Sequence, residues 1–193
     1  SAEQFGLDLA YAIGKLLEDP ARAVEVLGAI QSPATLARIE GARELGAILR
    51  DSAPIVHPHW PDARVHGPLL LRVPHTDEVA YGEERFGPIA FVVDTPTVAV
   101  SLSAAERVMR DKGAITFSVY STNPVVRQLA EDVALRAGVA LSFNLTGGVF
   151  VNQSAAFSDF HATGANPAAN ACLTDSAFVS GRFFVVQNRR HIP

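Results

Sequence analysis

Apolar residues at Phe5, Leu7, Leu9, Ile13, Leu16 and Leu17 recur at roughly helical spacing and predict a first helix that ends at Asp19-Pro20. A second helical run, Pro20 to Ile30, carries Val24, Val26, Leu27 and Ile30 as its apolar positions. Ser32-Pro33 reads as a cap followed by proline at the first helical position, and it predicts a third helix reaching about Leu49. The stretch from Ser52 to Pro74 is broken by Pro54, Pro58, Pro61, Pro68 and Pro74, and reads as an irregular connection. Within it, Pro54 to Val56 and Leu69 to Val73 are short enough and apolar enough to be strands.

From Ile89 the pattern changes. Ile89 to Val93 is a continuous apolar run suited to a strand buried on both faces. Val98 to Lys112 reads as a helix closed by Gly113, and Ala114 to Tyr120 as the next strand. Asn123-Pro124 opens another helix through Arg136 that Gly138 ends, and Val139 to Phe143 is a third strand. This alternation predicts crossover connections and a largely parallel sheet. The tail is different: Thr146 to Asn170 is rich in Gly, Asn, Ser and Ala with phenylalanines interleaved, a composition that marks a functional loop. Phe183 to Gln187 reads as a final strand that closes a sheet edge or pairs with another chain.

With 193 residues, 48% apolar and 19% charged, the chain can bury a core and is too apolar to be disordered. A net charge of -4 argues against a nucleic-acid partner. The one cysteine, Cys172, excludes an intrachain disulfide and a cysteine-cluster zinc site. No basic cap with a short apolar run opens the chain, and the apolar runs are strand-sized, so neither a secretory signal nor a membrane span is expected. The expectation is a cytoplasmic domain.

Candidate chemistry is sparse. His57-Pro-His59 offers two ligands and no third, so no metal site is assigned. Asp159 and His161 are close in sequence, which says nothing about shared geometry. There is no nucleophile elbow, no phosphate loop and no glycine fingerprint for a dinucleotide. Cys172 has no adjacent base and reads as a packing residue. The segment from Glu83 to Pro88, EERFGP, stands directly before the apolar strand. Taken alone, it is a turn with two solvent-facing carboxylates.

In context, that segment with its strand resembles the C-terminal half of the aldehyde dehydrogenase superfamily. The downstream order agrees: the strand opened by Gly113-Ala114-Ile115 and ending at Val119-Tyr120-Ser121, then Ala137-Gly138-Val139, then the strand to Asn144. The runs NLTGGVFVNQSAAFSDFH, from Asn144 to His161, and GANPAAN, from Gly164 to Asn170, resemble its bacterial phenylacetic-acid degradation branch. The resemblance implies a three-layer α/β/α catalytic domain with a mostly parallel sheet, a helical N-terminal part and an oligomerisation strand at 183–187. It implies a single partial domain over 1–193, with the cofactor domain absent.

The resemblance also assigns roles. Glu84 and Phe86 would meet the nicotinamide-side ribose of NAD or NADP, since a carboxylate can accept both ribose hydroxyls and a ring can pack beside them. Phe160 and His161 would border the substrate entrance. The family's nucleophilic cysteine lies upstream of the glutamate, where this chain has none, and Cys172 falls on the wrong side. The chain alone is therefore expected to hold no catalytic residue, to be inactive and to bind no cofactor appreciably. The parent would be an aldehyde dehydrogenase acting on an aldehyde from aromatic-acid breakdown, with a ring-opened semialdehyde carried on coenzyme A as one candidate. It would form a homo-oligomer through the last strand. A non-catalytic assembly module with the same core is the rival expectation.

Overall fold

The computed structural model describes residues 1–114, 116–144 and 188–190. It divides into two compact units, Ser1–Pro96 and Thr97–Pro193. Among the described residues no helix is long and apolar enough to cross a membrane.

The first unit opens with three capped helices. α1 spans Ala2–Leu16, with Ser1 Oγ accepting from the Gln4 amide. In α2, Pro20–Leu27, the Asp19 carboxylate accepts from Ala21, and in α3, Pro33–Ala42, Ser32 Oγ accepts from Ala34. Each cap satisfies an amide that the helix itself leaves unpaired. α2 stops three residues short of the expected Ile30. Gly28 takes a positive φ of 65° there, and the Ile30 amide turns away to donate to Arg64 O at 2.7 Å.

The third helix also ends early. After a 3-10 turn over Arg43–Leu45, residues Ala47–Arg50 form strand β1 rather than a last helical turn. β2 (Pro54–Ile55) and β3 (Val65–His66) make a small antiparallel pair. β4 (Leu69–Pro74) is the centre of the main sheet, with β1 antiparallel on one side and β5 (Ile89–Asp94) parallel on the other. Between β4 and β5 lies the short helix α4, Glu78–Tyr81.

β4 does not alternate, because both its faces are covered: Leu69, Leu70, Leu71 and Val73 are all buried. On one face Leu69 and Leu71 join Ile39 and Ala42 of α3, with Phe91 and Ile89 packed beside them. α1 packs against β1, β4 and β5. It comes close at Gly6, where an added Cβ would meet Leu49 Cδ1 at 2.5 Å. The buried glycine turns its neighbours outward, so Phe5 and Leu7, expected as apolar face positions, are exposed. Arg72 ties these elements together through Glu3 of α1 at 3.2 Å and Asp94 of β5 at 2.9 Å.

The second unit contains α5 (Val98–Lys112), β6 (Thr116–Val119), α6 (Pro124–Ala137), β7 (Ala140–Phe143) and β8 (Asn188–Arg190). Its caps follow the sequence signals: Asn123 Oδ1 accepts from Val125, and Gly138 ends α6 in the left-handed conformation. β6, β7 and β8 form a parallel sheet in that order. Phe143 and Leu141 of β7 are fully buried with Ala130 and Ala134 of α6.

The single mostly parallel sheet expected to run from the first strand through the third is corrected: among the described residues the strands fall into three small sheets, and the one centred on β4 is mixed. β5 finds its partner in β4, the apolar strand hidden in the proline-rich stretch, while β6 pairs with β7. The terminal strand expected at 183–187 lies outside the described residues, and β8 at 188–190 pairs with β7 of its own chain.

Glu106 of α5 accepts a two-pronged ion pair from Arg136 of α6, with both contacts at 2.7 Å. That hydrogen bonding holds the Glu106 carboxyl below its ordinary range. A depressed folded pKa contributes stability above the ordinary carboxylate range, and this is lost as pH falls through the folded value. Thermal melts of the chain and of Glu106→Gln are expected to differ at neutral pH and to converge in acid. A gap that holds constant into acid contradicts this.

Candidate functional site

The segment 83–88 joins α4 to β5, and its conformation follows from four anchors. Gly82 stops α4, donating to Glu78 O at 2.7 Å. Arg85 folds back on that helix, donating through Nε to Ala80 O and through Nη2 to Val79 O, both at 3.2 Å. Next, Arg38 of α3 donates through Nε to the Phe86 carbonyl at 2.8 Å. Finally Leu69 of β4 donates to Pro88 O at 2.8 Å, so the loop enters β5 already in register with the sheet. Gly87 adopts φ 149°, a backbone that favours glycine, and a Cβ there would stand 3.0 Å from Thr35 Cγ2.

The anchors leave two side chains outward. Glu84 is exposed and makes no hydrogen bond among the described residues, while the Phe86 ring is 70% exposed. Both border a cleft of about 760 Å3 whose other walls include Gly28, Ser32, Thr35 and His66. Arg64 fixes the Ile30–Gln31 wall, donating to Ile30 O at 3.1 Å and Gln31 O at 2.8 Å. The His66 Nδ1 atom is buried without a hydrogen-bond partner among the described residues.

This pairing of an acceptor with a ring can receive a diol. A free carboxylate presents two acceptor oxygens to a vicinal diol, and an exposed aromatic ring beside it supplies a wall for a planar heterocycle.

Glu84 and Phe86 both line this cleft. Phe160, His161 and Cys172 lie outside the described residues. The histidines of His57-Pro-His59 stand with ring centroids 6.2 Å apart, and His57 Nδ1 accepts from the His59 amide at 3.1 Å. Among the described residues no group of three potential metal ligands gathers. Sequence reasoning missed Arg38, Thr35, Arg64 and His66. Nothing in linear spacing marks Arg38 or Arg64, whose backbone partners lie far along the chain.

No protein-family model and no curated protein matches the chain. Among solved structures it matches the crystal structure of an NAD-dependent aldehyde dehydrogenase from Burkholderia multivorans, with 53% identity and a TM-score of 0.80. The match covers 94% of this chain. The chain is homologous to part of an aldehyde dehydrogenase. It spans 33% of the length of that relative.

Proposed function

We propose that this chain contributes the nicotinamide-ribose contact of an NAD-dependent enzyme that oxidises an aldehyde. The observation that supports this most is the pairing of an exposed Glu84 carboxylate with an exposed Phe86 ring, in a chain 53% identical to part of an NAD-dependent aldehyde dehydrogenase. When bound, the nicotinamide supplies the acceptor for hydride from the substrate. Glu84 accepts hydrogen bonds from the ribose hydroxyls, and Phe86 restricts where the ring can lie. Thiolate chemistry on the aldehyde requires a nucleophile that no residue upstream of Glu84 in this chain supplies, so the chain alone is inactive. The aldehyde comes from aromatic-acid breakdown, a reading that rests on the runs at 144–161 and 164–170. Phe160 and His161 border its entrance, and the C-terminal strand joins subunits of a cytoplasmic homo-oligomer.

The test is aldehyde-dependent NAD reduction by the product of the whole reading frame, compared with its Glu84→Gln variant. Losing a charged acceptor costs about 1.5–3 kcal/mol, so the variant is expected to raise KM for NAD roughly tenfold or more. A product inert with every aldehyde would leave the assembly-module reading standing instead.

A further inference from the structure

We infer that Arg38 is a positioning residue that holds the Glu84–Phe86 loop in its ribose-ready conformation, an inference that rests on the ribose reading above. Arg38 projects from α3 and spends two of its donors at once. Its Nε–H reaches the Phe86 carbonyl at 2.8 Å, and Nη2 donates to Thr35 Oγ1 at 2.9 Å. Thr35 lies one turn earlier on the same helix and is itself buried, so its hydroxyl aims the guanidinium at the loop.

The geometry leaves little alternative support at this point. Arg85 is tied to α4 and Pro88 to β4, so Glu84 and Phe86 flank one anchored residue and precede another. Between those anchors, the contacts that reach α3 are the Arg38 bond and the approach of Gly87 to Thr35. The Phe86 carbonyl and ring belong to one residue, so fixing the carbonyl limits where the exposed ring can point. A guanidinium suits the task because its donors diverge in a rigid plane and can serve a hydroxyl and a carbonyl together. Arg38 touches neither substrate nor cofactor in this account. It acts through Phe86.

Two readouts on this chain test the inference, together with three variants. One is the rate of tryptic cleavage after Arg85, which reports the freedom of the loop. The other is the affinity for nicotinamide mononucleotide, the half-cofactor carrying the ribose, followed by amide shifts at Glu84 and Phe86 at millimolar ligand.

Arg38→Met keeps the apolar stem and removes the donors. It is expected to speed cleavage and weaken mononucleotide binding by roughly three- to tenfold each, the scale of one lost hydrogen bond. Arg38→Lys restores one donor and is expected to recover most of both effects. A role in helix packing alone would instead be satisfied equally by Met and Lys. Thr35→Val, which removes only the aiming hydroxyl, is expected to fall between wild type and Arg38→Met.

Unchanged cleavage or unchanged affinity in Arg38→Met overturns the inference, as does failure of Arg38→Lys to recover either. An unchanged KM for NAD in the Glu84→Gln product of the whole reading frame overturns the ribose reading itself. That outcome is seen before any Arg38 variant is made, so the two failures are distinguishable.

Discussion

Phe143→Ala is expected to destabilise the chain by about 3–5 kcal/mol, measured as a shift in the urea unfolding midpoint at constant slope. Phe143 ends β7 and has no exposed surface. Around it stand Ala130 and Ala134 of α6 with Leu141 of its own strand, and Leu102, Phe117 and Val119 pack against the same cluster. Among the described residues, two of its three buried neighbours are alanines, which are too small to swing into the vacated space. Their backbones belong to a capped helix, so collapse would require α6 to shift. The cost should therefore fall at the upper end of the range for such truncations. Phe143→Leu, which refills most of the volume, is expected to cost much less. Equal losses for alanine and leucine would show that the ring is not packed as described.

Leu69→Ala is expected to cost about 2–5 kcal/mol and also to disturb the candidate site. Leu69 is fully buried in the cluster with Ile39, Ala42 and Leu71, and its amide donates to Pro88 O. Ile39 follows Arg38 on α3, and Ile89 follows Pro88 at the start of β5. A cavity at Leu69 thus opens beneath both sides of the contact between Arg38 and Phe86. Stability and the amide shifts of Glu84 to Gly87 should change together. Loop shifts unmoved in Leu69→Ala would show that the cluster does not support the loop.

Local signals were readable wherever the physics is local. Ser32-Pro33 and Asn123-Pro124 begin helices as expected, and Gly113 and Gly138 end them, because caps are settled within a few residues. β1 was not readable. Ala47, Ile48, Leu49 and Arg50 continue a helical pattern, and they form a strand because β4 offers them a backbone partner. β4 itself was legible as a short apolar run, but its place at the centre of a sheet was not. That place depends on β5 returning parallel across α4. The same divide runs through the site. Glu84 and Phe86 sit in one short motif and could be named from it. Arg38 meets Phe86 across 48 positions of sequence, a separation at which one-dimensional spacing carries no information.

The strand that sequence reasoning missed also bears on how the molecule behaves among its own copies. Among the described residues β1 is an outer strand of its sheet, with Ala47 and Ile48 exposed, and such a border is open to strand addition by a neighbouring chain. β1 is only four residues long, and its register against β4 slips between Ile48 and Arg50. A short border with an interrupted hydrogen-bond ladder is a poor template, because an incoming strand cannot pair along it without a break. Among the described residues the irregularity thus makes this edge a poor template, and a substitution that straightened β1 would make it a better one.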